Sequence, residues 1–92
     1  MILDNNKERE LLELLTPIFR SVFNEPNLIL GRNLTAKDVE NWDSLNHIML
    51  IVQIEEMTNL VFSTNQLVKL NNVGDFVDLI LELGYIGNVQ SN

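Results

Sequence analysis

Apolar residues in the first quarter of the chain recur at helical spacing. Leu11, Leu15, Ile18 and Val22 follow i, i+4, i+7 and i+11, and Leu12 and Phe19 widen the stripe. This predicts an amphipathic helix over residues 7–23. Pro17 falls inside it and removes one intrahelical hydrogen bond. Either the segment breaks, with Thr16 as a cap and Pro17 at the first position of a new helix, or a single helix continues with a kink. The apolar phase runs through Pro17 without slipping, which favours one kinked helix.

Residues 24–43 show no sustained period. A connection of this length in a compact domain is either functional or pinned, and Leu28, Leu30, Leu34 and Val39 are spaced to pin it. Thr35-Ala36-Lys37-Asp38 suits one short turn of helix. A second helix is expected from Ser44 to about Thr58. Ser63-Thr64-Asn65-Gln66 has the S-x-x-Q form of a capping box and opens a short third helix ending at Asn71-Asn72. Asn72 is placed to cap a fourth helix, with Asp75 at its third position, where a carboxylate suits the positive helix end. Val73, Phe76, Val77, Ile80 and Leu83 form the buried stripe of that helix, and Gly84 is a natural stop. The expected fold is all-α: a small four-helix bundle with a long first loop and a short third helix. It forms a single domain over residues 1–92, with the bundle at about 7–84 and a flexible tail at 85–92, polar after Ile86.

Composition narrows the chemistry. At 92 residues and 46% apolar content the chain reads as one folded domain. It has no cysteine, which excludes disulfides, thiolate catalysis and Cys-based metal sites, and its one histidine, His47, argues against His-ligated zinc. The longest apolar run, residues 48–52, is far below the ~20 needed to span a bilayer. No basic segment leading into an apolar stretch marks a secretory signal, so the expected compartment is the cytoplasm. The net charge of −7 is unevenly placed. Residues 1–37 hold five acids and five bases, whereas residues 38–92 hold eight acids and only Lys69. Such a surface repels nucleic-acid backbones and attracts partners with basic patches, unless it serves solubility alone.

The segment Asn41-Trp42-Asp43-Ser44-Leu45 carries the candidate chemistry. Ser44 stands where the long loop meets the second helix. One reading makes it an N-cap. The other makes its hydroxyl the anchor of a phosphodiester, favoured there by the helix dipole and unpaired N–H groups. No G-x-S-x-G elbow surrounds it, and a Ser44–His47 pair on one helix face lacks an oxyanion hole, so the chain is not expected to be an enzyme. Trp42 either contacts a bound group or packs back on the helix as a staple, and packing is favoured. His47, in the first turn, is expected to be a hydrogen-bonded structural residue.

With these residues in place, the chain resembles the acyl carrier proteins. The resemblance rests on Asp43-Ser44-Leu45 at the start of the second of four helices, within Trp42-Asp43-Ser44-Leu45-Asn46-His47-Ile48. The preceding long loop, the apolar second helix ending in Glu55-Glu56, the capped third helix and Val73-Gly74-Asp75-Phe76-Val77-Asp78-Leu79-Ile80 extend it over about residues 8–83. It implies that a phosphopantetheinyl transferase moves 4′-phosphopantetheine from coenzyme A onto Ser44, with Asp43 contacting the transferase-bound metal and Leu45 completing the motif. The arm's thiol would then hold an acyl group as a thioester for acyl-loading and acyl-transferring enzymes with basic patches. The chain itself is expected to be a monomer that holds no metal.

The second helix departs from the family pattern. Asn46, Met49, Gln53 and Glu56 share one stripe, with Leu45 and Val52 beside it, while Leu50, Ile54 and Met57 lie opposite and are expected in the core. Fatty-acid-type carriers place acids near the positions of Asn46 and Met49. Met49 either faces a partner or fills a gap against a neighbouring helix. In the first case Leu45, Asn46, Met49, Val52, Gln53 and Glu56 form a partner face that relies less on charge. That points to a specialised lipid, polyketide or related pathway. Two alternatives share the bland facts: an aminoacyl or peptidyl carrier, and a small acidic helical interaction module without a prosthetic group. Asn41-Trp42 argues against the peptidyl type, which has Gly-Gly ahead of its serine. Asp43-Ser44-Leu45 at a helix start argues against the module.

Overall fold

The apolar stripe of the first segment closes into a single helix, α1 (Leu3–Phe23), in a computed structural model that describes residues 3–85. It starts earlier than the expected residue 7, because the polar run from Asp4 to Glu10 carries no apolar period. The helix passes through Pro17 unbroken. Thr16 is not a cap: its hydroxyl donates back to the Leu12 carbonyl at 2.6 Å, one turn before. Glu13 and Pro17 are both exposed, so the Glu13 carbonyl, left without a helical donor by the proline, lies on the solvent side. The buried line is Leu11, Leu15, Phe19 and Phe23, a strict i, i+4 row. Ile18 and Val22, expected at its centre, lie at its half-buried edge. Asn24, in the left-handed region at φ 56°, ends α1, and the bonds from Glu25 N–H to Arg20 O and from Asn24 N–H to Ser21 O form a Schellman closure.

The long connection is pinned as the pattern predicts. Val39 is buried, and Leu28, Leu30 and Leu34 pack half-buried against the core. The expected helical turn at Thr35–Asp38 is instead a hydrogen-bonded turn: Asp38 N–H reaches Thr35 O, and the Asp38 carboxylate accepts from the Thr35 N–H at 3.0 Å. Thr35 also forms an isolated antiparallel bridge with Asn72, which claims its backbone for the start of the last helix. Beside that bridge, Arg32 O and Leu34 O accept from Gly74 and Val73. Arg32 lies across Gly74, where a Cβ would come within 2.9 Å of its Nε, so glycine admits this close approach. Its guanidinium reaches Glu8 of α1 at 2.7 Å and Asp78 at 2.6 Å. These are partly solvated pairs that orient the loop more than they stabilise it.

Helix α2 spans Ser44–Thr58, as predicted. Helix α3 is only Thr64–Leu67, shorter than the expected reach to Asn71-Asn72. Its capping box forms as read, but it buries no residue, so nothing extends it. Helix α4 (Val73–Glu82) carries the second box, Asn72 with Asp75, and buries Val73, Phe76, Val77, Leu79 and Ile80. Leu83 is half-buried, and Gly84 at φ 92° closes the helix as predicted. The result is an all-α, four-helix bundle with a long first loop and a short third helix. Apart from Tyr85, the tail expected to fray lies outside the described residues, as does Ile86.

Candidate functional site

The loop reaches α2 through a chain of side-chain bonds that starts on α1. Asn41 Nδ2 donates to the Phe23 carbonyl at 2.7 Å, and the Asn41 carbonyl accepts from Asn46 Nδ2 at 2.9 Å. One asparagine thus ties the end of α1 to the first turn of α2. The next residue, Trp42, is buried at 6% exposure among Phe19 and Phe23, with ring centroids 5.8 and 5.2 Å away. Its Nε1–H donates to His47 Nδ1 at 2.9 Å, with the two rings nearly coplanar at 19° and their centroids 6.2 Å apart. Phe76 of α4 meets His47 edge-on at 5.9 Å. Trp42 stands just before the cap and His47 at the fourth helical position, so the pair forms the staple the sequence suggested, closed by a hydrogen bond as well as by packing.

This frame decides which residue caps α2. The N-cap is Asp43, not Ser44: Asp43 Oδ1 accepts from the Asn46 N–H at 2.9 Å. Two adjacent residues compete for the cap, and the carboxylate, with its full charge at the positive helix end, is the stronger acceptor. Ser44 is therefore the first helical residue. It is exposed, and its hydroxyl makes no hydrogen bond among the described residues. It sits on the rim of an open cleft of about 600 Å³ lined by Trp42, Asp43, His47 and Ile48, with Ala36, Leu70 and Asn71 on the far wall. A free hydroxyl beside a mixed apolar and polar cleft suits a long covalently attached group that needs both. Ala36, Leu70 and Asn71 are not among the site residues that the sequence suggests, because only the fold brings them near Ser44.

His47 has the residue environment expected of a structural histidine. Burial lowers its pKa from the ordinary value. Accepting from Trp42 at Nδ1 makes the ring neutral with its proton on Nε2. No group of three or more metal-ligating side chains occurs among the described residues, and no described helix is long and apolar enough to cross a membrane.

The outer side of α2 differs in phase from the expected stripe. Leu50, Ile51 and Ile54 are buried, with Met57 half-buried beside them. Opposite them Leu45 is 67% exposed, Ile48 57%, Met49 44% and Val52 43%. Met49 thus faces outward. Asn46 and Gln53 are half-buried at the edge of this stripe, and Glu56 is exposed on it. Asn46 is committed to the loop through both its N–H and its amide. Ile48, which the partner-face reading leaves out, belongs to the stripe. Centring the helical wheel on Leu45 and Val52 instead of on the polar residues brings it in. Glu55, beside Glu56, is turned to structure: it accepts from the Phe62 N–H at 2.8 Å.

No family model and no curated relative matches the chain. Among solved structures it is similar to a holo acyl carrier protein from Geobacter metallireducens, determined in solution by NMR. The two are 45% identical, the match covers 77% of this chain and 82% of that one, and the TM-score is 0.73. Identity at that level across most of both chains, on one helical bundle, places this chain in the acyl carrier protein family, a carrier and not an enzyme.

Proposed function

We propose that Ser44 is the loading point of this carrier. A phosphopantetheinyl transferase attaches 4′-phosphopantetheine from coenzyme A to its hydroxyl. The arm's terminal thiol supplies the thioester chemistry that a cysteine-free chain lacks. The carrying observation is the division of labour at the start of α2: Asp43 caps the helix, which leaves the Ser44 hydroxyl exposed and without a partner among the described residues. Asp43 uses Oδ1 for the cap, so Oδ2 remains for the transferase-bound metal. Leu45, 67% exposed, extends the motif outward toward the transferase.

Enzymes that load and unload the carrier read the outer face of α2. Leu45, Met49, Val52 and Glu56 form its body, with Ile48 beside them and Asn46 and Gln53 at its edge. Four apolar side chains and one carboxylate favour partners with an apolar groove and a basic rim near Glu56. Such a face suits a specialised lipid, polyketide or related pathway with dedicated enzymes.

The test is incubation with coenzyme A, magnesium and a phosphopantetheinyl transferase, followed by intact mass. One arm is expected on the wild type and none on Ser44→Ala, with both variants folded by circular dichroism. Wild type left unmodified by several transferases, or an arm mapped to another residue, overturns the reading.

A further inference from the structure

His47 holds a hydrogen-bond donor that the fold does not use. Its Nδ1 is taken by Trp42 at 2.9 Å, which leaves the proton on Nε2. Nε2 makes no hydrogen bond among the described residues, although the ring lies edge to edge and nearly coplanar with Trp42 and meets Phe76 at a steep angle. The ring lines the same cleft as Ser44. The two residues are three apart on α2 and so share a face. Helical side chains lean toward the N-terminus of their helix, which carries the His47 ring over the turn that Ser44 begins. The indole bond and the Phe76 contact remove the ring's freedom to turn away. An oriented, neutral donor beside an attachment hydroxyl is positioned for an anion that arrives with the attached group.

We propose that the His47 Nε2–H donates to the phosphodiester formed on Ser44 and directs the arm along the cleft between Trp42 and Leu70. Here His47 is a positioning residue: it breaks no bond and transfers no proton. The inference rests on Ser44 being the attachment point. It gives Trp42 a functional consequence without any contact to the arm, since the indole bond selects the imidazole tautomer that can donate. In the unmodified carrier, burial is what holds the His47 pKa down. A phosphodiester accepting from Nε2–H adds an opposite charge next to the imidazolium and raises it.

The test compares the unmodified and arm-bearing wild type by NMR titration of the His47 ring, with intact mass confirming attachment. The His47 pKa is expected to rise by at least about half a unit on loading. The phosphorus resonance of the arm should shift with pH at the same midpoint. In His47→Gln, where the amide oxygen can accept from Trp42 and the amide nitrogen can donate, that pH step vanishes while the phosphorus shift stays near its neutral-pH value. His47→Phe keeps an aromatic ring but no donor and should move the phosphorus shift toward that of a free phosphodiester. A confirmed mass gain with an unchanged His47 pKa overturns the inference and leaves the attachment reading standing. An absent mass gain overturns both.

Discussion

The two sides of α2 are made from the same kinds of residue and meet opposite fates. Leu50, Ile51 and Ile54 are buried, and Leu45, Ile48, Met49 and Val52 are exposed between 43% and 67%. Hydrophobicity alone does not separate them. What separates them is the row of aromatic and aliphatic side chains from α1 and α4 that the inner side meets: Phe19, Phe23, Phe76 and Ile80 are all fully buried. The outer side meets no such row. A contiguous apolar stripe left on the surface of a small domain is the usual mark of a surface kept for partners. The inner side is thus a stability element, and the outer side carries the proposed partner face, within one helix of 15 residues.

That contrast breaks or holds on a paired substitution. Ile54→Ala empties space in a close-packed core and is expected to cost about 2–5 kcal/mol. Ile48→Ala, six residues earlier on the exposed side, should stay within about 0.5 kcal/mol. Urea unfolding of the two variants reads both values. Similar losses would mean that the outer stripe packs against something in the free protein, and the division fails.

A second pair sharpens the difference between neighbours at the start of the helix. Asp43→Ala removes the cap and should cost about 1 kcal/mol. Ser44→Ala removes a hydroxyl with no partner among the described residues and should leave the unfolding midpoint nearly where it was. Modification should respond in the reverse order, abolished by Ser44→Ala and only slowed by Asp43→Ala. A larger stability loss for Ser44→Ala than for Asp43→Ala would restore Ser44 as the cap.

These pairs also show how much the sequence carried. Both capping boxes, the end of α2 and the stop at Gly84 were legible because each rests on contacts within four or five residues. The length of α3 was not, since a box starts a helix but only burial extends it, and α3 buries nothing. The turn at Thr35–Asp38 was misread as helix because its partner, Asn72, is remote in sequence. At the site, Asp43-Ser44-Leu45 was readable, but the choice of cap was not: Asp43 and Ser44 are both good caps, and the winner depends on where Asn41 and Trp42 anchor the loop. The cleft walls at Ala36, Leu70 and Asn71 come from two separate stretches of chain, both remote from Ser44, and leave no local signal.

A smaller effect is expected from acidity. The folded state holds His47 neutral, with its pKa lowered by burial, whereas the unfolded chain protonates it near the ordinary value of about 6.5. Below that value the unfolded state binds more protons, so stability is complete above it and declines as pH falls toward the lowered folded value. Melting temperature should therefore fall between about pH 7 and pH 5.5, before most carboxylates titrate. His47→Gln should flatten that decline. An unchanged decline in the variant would assign it to other groups.

The smallest stability effect, and the most direct reading of the outer side, belongs to Met49→Glu. Met49 is 44% exposed on the stripe between Leu45 and Val52, so the carboxylate reaches water and the melting curve should move by no more than about 0.5 kcal/mol. The same change places an acid where fatty-acid-type carriers have one, and it adds a charge to a face whose only exposed acid among the described residues is Glu56. Enzymes that need the apolar stripe should lose rate, because an unpaired carboxylate buried in their groove is costly. Enzymes that read acids should gain, through faster encounter that weakens as salt is added. The measurement is transferase and acyl-transfer kinetics on variant and wild type at low and high salt, beside a melting curve of the same samples. Unchanged kinetics with an unchanged melt would leave Met49 outside every partner contact and shift the proposed face toward Leu45 and Ile48. A large drop in melting temperature would instead mean that the outer side closes onto the body of the protein in solution.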